Sequence, residues 1–206
     1  MNAQQHYPFI LKPLPYDYNA LEPYIDSLTM EIHHDRHLKT YVDNLNAAIK
    51  NYPDYYNWSL ERLIKQANWL PEPLQIPVKN NGGGVYNHNF FFGNMAKEET
   101  SLSESLENAI NDTYGDYNKF KDAFTKTALA VFGSGYAWLA ANGEGRLQIT
   151  ATANQDTLLT RDLRPIMCID VWEHAYYLKH YNKRADYITD WYNVVNLNEA
   201  SKNYSL

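Results

Sequence analysis

The 206 residues contain one cysteine, Cys168, which excludes an internal disulfide framework and any thiolate metal cluster built within one chain. No apolar run of about 18 residues occurs, so no membrane-spanning helix is predicted. No basic block occurs either. Eighteen Lys and Arg against 24 Asp and Glu leave a formal net charge of −6, which argues against nucleic acid or an anionic membrane as partner. A small anionic substrate stays open, because the local field counts for more than the total. Met1 to Leu14 lacks a charged region followed by an apolar one, so no secretory leader is read there and a cytoplasmic protein is expected. The chain has no Gly-x-Ser-x-Gly elbow, no Walker loop and no His-Glu-x-x-His motif. A di-iron bundle needs two Glu-x-x-His motifs, and only Glu31-Ile-His-His34 is present.

Aromatic side chains are abundant, at 15% of the chain with 18 Tyr and 5 Trp. With 45% apolar residues, the chain can bury a core as one large domain or two small ones. Lys12-Pro-Leu-Pro-Tyr16 reads as extended. A helix is expected from Ser27 or Thr29 to about Lys50, with Ile32, Leu38, Val42, Leu45 and Ile49 at helical spacing and Thr29 as a capping candidate. Residues 53–81 read as an irregular connection with one short helix, Ser59 to Asn68, after which Pro71, Pro73 and Pro77 are expected to forbid regular structure. Asn80-Asn-Gly-Gly-Gly84 reads as a break leading into a helix from Gly84 to Lys97. Ser103–Asn111 and Asp116–Phe132 read as helices separated by Gly115, with Asp116 as an N-cap.

The pattern then changes. Tyr136–Ala140, Leu147–Ala151 and Ile166–Asp170 read as strands, the first two joined by a hairpin at Asn142-Gly-Glu-Gly145. Helices return at Ala175–Tyr181 and Ala185–Asn196. The fold class is α+β: a long antiparallel helical hairpin over residues 1–95, then an α/β domain with a three-stranded antiparallel sheet over residues 96–206.

Asp170 and His174 stand four residues apart at the end of an apolar strand, where an unpaired carboxylate is costly. Oxygen plus imidazole suits iron, manganese or zinc. His33 and His37 share a helix face that Tyr41 continues. His33 and His88 would each add one ligand from a long helix. Spacing alone leaves His33, His34 and His37 equally as a polar helix face, and His6 and His180 as surface or hydrogen-bonded residues. Asp170 and His174 could also be a cap beside a core imidazole.

Five blocks carry a further reading: Met30-Glu-Ile-His-His-Asp-Arg-His37 with Tyr41, Gly82-Gly-Gly-Val-Tyr-Asn-His88, Phe132-Gly-Ser-Gly135, Thr152-Ala-Asn-Gln-Asp156 and Asp170-Val-Trp-Glu-His-Ala-Tyr-Tyr177. In this order they resemble the iron/manganese superoxide dismutase family over roughly residues 7–196. The resemblance implies that His33, His88, Asp170 and His174 bind one manganese or iron ion per subunit at the meeting of the two domains, with solvent in a fifth position. It implies dismutation of superoxide to O2 and hydrogen peroxide. Gln155 looks like the glutamine that hydrogen-bonds the bound solvent. Iron-preferring members usually place that glutamine four residues before the second histidine ligand, where Gly84 stands here, so the pairing resembles the manganese subgroup. Tyr41 resembles the gateway tyrosine and His37 the histidine behind it. Trp138 and Trp172 would wall the site, and Arg184 resembles the funnel arginine. Glu173 and Tyr177 resemble residues that reach a partner subunit, Glu173 to its His174 and Tyr177 to its His37. A homodimer follows, with a tetramer open.

The sequence also departs from the family pattern. Phe92 and Tyr136 stand where Trp is usual, Leu38 where a second His is common, and Ala185 where Pro follows the arginine. Two rival readings remain: a zinc hydrolase on the same ligands, with Glu173 as its only evident base, and a non-catalytic metal-binding scaffold.

Overall fold

Asp26 starts the first helix by accepting the Thr29 N–H at 2.9 Å. Thr29, the expected cap, instead donates its hydroxyl to the same carboxylate at 2.5 Å. A computed structural model describes residues 6–205; the ends of the two predicted domains, and the first part of the Met1–Leu14 reading, lie outside the described residues. Helix α1 (Ser27–Ile32) continues through a π-helical turn, His33–Leu38, into α2 (Lys39–Ile49). Leu38, Val42, Leu45 and Ile49 form the buried stripe that the spacing predicts, while Ile32 is half-buried.

The connection is more helical than its composition suggests. Ser59 caps α3 (Leu60–Lys65), which ends in a 3-10 turn at Ala67–Trp69. The expectation that the prolines exclude regular structure is wrong. Helix α4 (Glu72–Pro77) follows Pro71 directly and holds Pro73 in its first turn, where a helix needs no backbone N–H donor. Pro77 sits at its end, where the chain widens into a second π-helical turn, Val78–Gly82. That turn runs without a break into α5 (Gly83–Gly93), so the Asn80–Gly84 stretch lies inside a helix instead of starting one. Helix α5 stops short of Lys97 because Met95 leaves to bridge Val195. Helix α2 packs along α4, the second π-helical turn and α5, which closes the hairpin.

Ser103 and Asp116 cap α6 (Glu104–Tyr114) and α7 (Tyr117–Ala130); Gly115 between them has a φ of 97° that a side chain would resist. Strands β1 (Gly135–Ala141), β2 (Leu147–Ala153) and β3 (Arg164–Asp170) form an antiparallel sheet in the order β2-β1-β3. The central strand β1 is buried along its whole length, which explains why it shows no polar alternation. Its register places Tyr136 opposite both Thr152 and Asp170. Helices α8 (Tyr177–His180) and α9 (Arg184–Trp191) are shorter than predicted. The unpredicted α10 (Leu197–Tyr204), capped by Asn196, covers β3 with a mostly polar sequence. Among the described residues no helix is long and apolar enough to cross a membrane.

Candidate metal centre

Four side chains from both halves of the chain converge. His33 comes from the π-helical turn of the first helix, His88 from α5, Asp170 from the end of β3, and His174 from a 3-10 turn, Glu173–Ala175. One potential ligand atom from each lies within 4.8 Å of all the others. Asp170 Oδ2 is the hub, 3.3 Å from His33 Nε2, 3.7 Å from His174 Nε2 and 3.9 Å from His88 Nε2.

These four atoms are buried and have no hydrogen-bond partner. An unsatisfied buried polar atom costs about 1–3 kcal/mol, so four facing one point call for an occupant. A cation fits: one carboxylate and three imidazole nitrogens suit manganese, iron or zinc. The opposite edge of two ligands is pinned. Asp170 Oδ1 accepts the Trp172 N–H at 2.8 Å, and His88 Nδ1 lies 2.7 Å from the Gly84 carbonyl oxygen. Donation to that carbonyl puts the imidazole proton on Nδ1 and leaves the Nε2 lone pair facing the centre.

Burial shapes the ionisation. It lowers His33 to about 4, against the opposing pull of Asp170, and lowers His88 well below its usual range. Both imidazoles are therefore neutral, as metal ligation requires. Burial pushes the Asp170 carboxyl up, but His174 and His33 outweigh it and hold the group below the usual carboxylate range.

Beside this set runs a hydrogen-bonded chain. Gln155 Nε2 donates to Tyr41 Oη at 3.2 Å. Gln155 Oε1 accepts from Asn87 Nδ2 and from the Tyr136 hydroxyl, each at 3.2 Å. Two donors on the carbonyl oxygen fix which way the amide faces. Tyr136 Oη is also 3.4 Å from His88 Nδ1, and burial raises its pKa well above 10, which keeps it a neutral donor. Asn87, fully buried, also donates to the Asp156 carbonyl. The sequence marked Asn87 only as part of a motif; its place directly before His88 was the available signal. Tyr136, an aromatic in place of the usual Trp, brings to the strand end beside Asp170 a phenol that donates to Gln155.

The glycines are part of the site. A Cβ on Gly84 would lie 2.5 Å from the Tyr41 ring, and one on Gly83 would lie 2.1 Å from the Gln155 carbonyl oxygen. The helix gives up side chains there so that Tyr41 and the Gln155 segment can close over it.

His37 stacks on His174 with ring centroids 4.2 Å apart, and Trp172 lies 5.4 Å from the His174 ring. Phe92 packs edge-on against His33 at 4.9 Å. Trp138 contacts Tyr136 and Phe90 and so stands one layer behind the ligands. Arg184 hydrogen-bonds the Val131 and Gly133 carbonyls and Tyr176 Oη. Its guanidinium is thus fixed beside the turn before β1, and none of these bonds reaches a ligand. Glu173 and Tyr177 are exposed. Among the described residues Glu173 has no side-chain partner, and the Tyr177 ring meets only Tyr181. His34 is held at both ring nitrogens, by Asp35 and the Lys12 carbonyl, which takes it out of the site. His6 is exposed, and His180 is buried against the Tyr24 carbonyl at 3.4 Å.

Two family descriptions match the chain: iron/manganese superoxide dismutases, alpha-hairpin domain, over residues 8–96, and their C-terminal domain, over residues 102–203. A superoxide dismutase [Mn] of Pseudomonas aeruginosa is 48% identical over 199 residues, covering 96% of this chain and 98% of its own length. A superoxide dismutase [Mn] 1 of Leptolyngbya boryana is 47% identical over 201 residues, covering 96% of this chain and 81% of its own.

Proposed function

The chain belongs to the iron/manganese superoxide dismutase family, and from that premise we propose how its own residues carry out the reaction. The protein is a superoxide dismutase that uses one manganese ion, with iron as the alternative. When bound, the ion would supply the redox couple for the reaction in which two superoxide anions and two protons become O2 and hydrogen peroxide.

His33, His88, Asp170 and His174 hold that ion. The observation that carries the reading is the set of four orphaned buried atoms facing one another. One carboxylate against three neutral imidazoles leaves the loaded site a net cation, which attracts a small anion in spite of the total charge of −6. The chain must also deliver protons. Because Gln155 Nε2 donates to Tyr41 Oη, the Tyr41 hydroxyl hydrogen is free to point elsewhere, toward an approaching anion. Burial raises the Tyr41 pKa, so the phenol keeps its proton at neutral pH. Asn87 and Tyr136 orient Gln155, and His37 braces His174 by stacking. Gly84 leaves room for the tyrosine and puts the glutamine's work on Gln155, a pairing that resembles the manganese subgroup of the family. Arg184 contributes positive charge at the approach.

The two-part division, 1–95 and 96–206, goes with this reading: each part supplies two of the four ligands. So does a homodimer, in which the exposed Glu173 and Tyr177 meet the partner's site; analytical ultracentrifugation tests it. The cytoplasm is the proposed setting, consistent with a single, buried thiol.

The deciding experiment is metal analysis of protein purified without added metal, followed by dismutase assay of manganese- and iron-loaded samples. Activity in the manganese form is expected. Stoichiometric zinc, with no dismutation by either reconstituted form, would sink the proposal and favour a hydrolase.

A further inference from the structure

The dismutase reading leaves unused a cavity of about 330 Å³ on the far side of the Gln155 segment, between the end of α3 and the β2–β3 connection. Its lining is rich in positive charge. Lys65, Lys79 and Arg161 face one carboxylate, Asp156, so the walls carry a local excess of two positive charges in a chain of net charge −6. Lys79 is paired with Asp156 at 3.1 Å. Arg161 spends one N–H on the Ala151 carbonyl, at 3.1 Å, which leaves most of its five donors available. Lys65 has no ion-pair partner among the described residues.

Thr157 also lines the cavity and is only 3% exposed, so it forms a closed wall there. An arginine and a lysine with unspent donors on one cavity match what a tetrahedral oxyanion takes up. Two features narrow the ligand. The volume is at the small end for ligand pockets. The lining contains no aromatic ring on which a base could stack, which disfavours a nucleotide.

We propose that this cavity binds one phosphate group, free or as a small phosphate monoester, through Lys65 and Arg161. Lys79 stays with Asp156 and closes one wall. The ligand would sit behind the backbone that carries Gln155, on the face away from the metal ligands. The inference does not depend on the dismutase reading, since its readout is binding.

The test is isothermal titration calorimetry on the metal-loaded protein at low ionic strength, with inorganic phosphate and glycerol 3-phosphate as separate probes. Saturable binding of at least one probe is expected. A preference for inorganic phosphate identifies the free ion, and a preference for the ester identifies a monoester ligand. Lys65→Gln and Arg161→Gln should each weaken binding by roughly tenfold, the usual worth of a charge-assisted hydrogen bond. Both side chains are exposed, so the variants should keep their Tm and metal content. The proposal is overturned if neither probe binds. It is equally overturned if the Lys65→Gln/Arg161→Gln double variant binds as tightly as the parent, which would move the anion to the metal or to the general surface.

Discussion

Replacing Gly84 by alanine tests whether the fit between α5 and Tyr41 matters for the site. The added Cβ would lie 2.5 Å from the nearest Tyr41 ring atoms, whereas ordinary contact begins at 3.4 Å, so the ring must retreat by roughly 1 Å. Tyr41 Oη is 3.2 Å from Gln155 Nε2, and a retreat of that size carries the pair past hydrogen-bonding distance. Two energies oppose each other. Alanine is better than glycine inside a helix by about 0.8–1 kcal/mol. Overpacking a tight site costs about 1–3 kcal/mol, and the lost hydrogen bond adds about 1 kcal/mol. The clash wins, with a net loss of about 1–3 kcal/mol. For a chain of this size that lowers Tm by roughly 2–12 °C. The control is Gly93→Ala in the same helix, where an added Cβ meets nothing within 4 Å. It gains the helix term alone, up to about 1 kcal/mol. Thermal unfolding, metal content and dismutase rate are measured on both variants. Gly84→Ala should lose rate several-fold at full metal content, and Gly93→Ala should match the parent. If Gly84→Ala gains stability as Gly93→Ala does and keeps its rate, the close approach of Tyr41 has no functional weight.

Tyr136→Phe keeps the aromatic ring and deletes one donor to Gln155 Oε1; it should cost about 1 kcal/mol in denaturant unfolding and shift the metal's midpoint potential, and an unchanged potential would remove Tyr136 from the chain that orients Gln155. Asp116→Ala removes the N-cap whose carboxylate accepts the Lys119 N–H at 2.8 Å; about 1 kcal/mol of stability should go with the dismutase rate unaltered, and a loss of rate would mean that α7 communicates with the site.

The strands and most helices were legible because their signals are local. Apolar runs gave β1 and β3, the Asn142–Gly145 turn gave the hairpin, and the Asp116 cap marked the start of α7. The exceptions show where local signals fail. Asn80-Asn-Gly-Gly-Gly84 is poor helix sequence, yet it is helical because Gly83 and Gly84 let the Gln155 backbone and the Tyr41 ring approach. Pro71, Pro73 and Pro77 look like breakers, but Pro73 falls in the first turn of a helix, where no N–H donor is needed, and Pro77 stands where that helix widens into a π-helical turn. Helix α10 has too few apolar residues to announce itself and is held by packing against β3.

The site divides the same way. The ligand residue types, their order and the family they resemble were set by the sequence, because a metal's preference for oxygen and imidazole is a property of side chains. Which ligand atoms face the centre is set by short-range contacts that residue types alone do not announce. The Trp172 N–H takes Asp170 Oδ1 and turns Oδ2 inward, and the Gly84 carbonyl holds His88 Nδ1 and turns Nε2 inward. Asn87 and Tyr136 acquire their part only when α5, β1 and the β2–β3 connection meet around Gln155. No single segment encodes that meeting, since the Asn87–Gln155 and Tyr136–Gln155 hydrogen bonds join residues 68 and 19 positions apart on different elements.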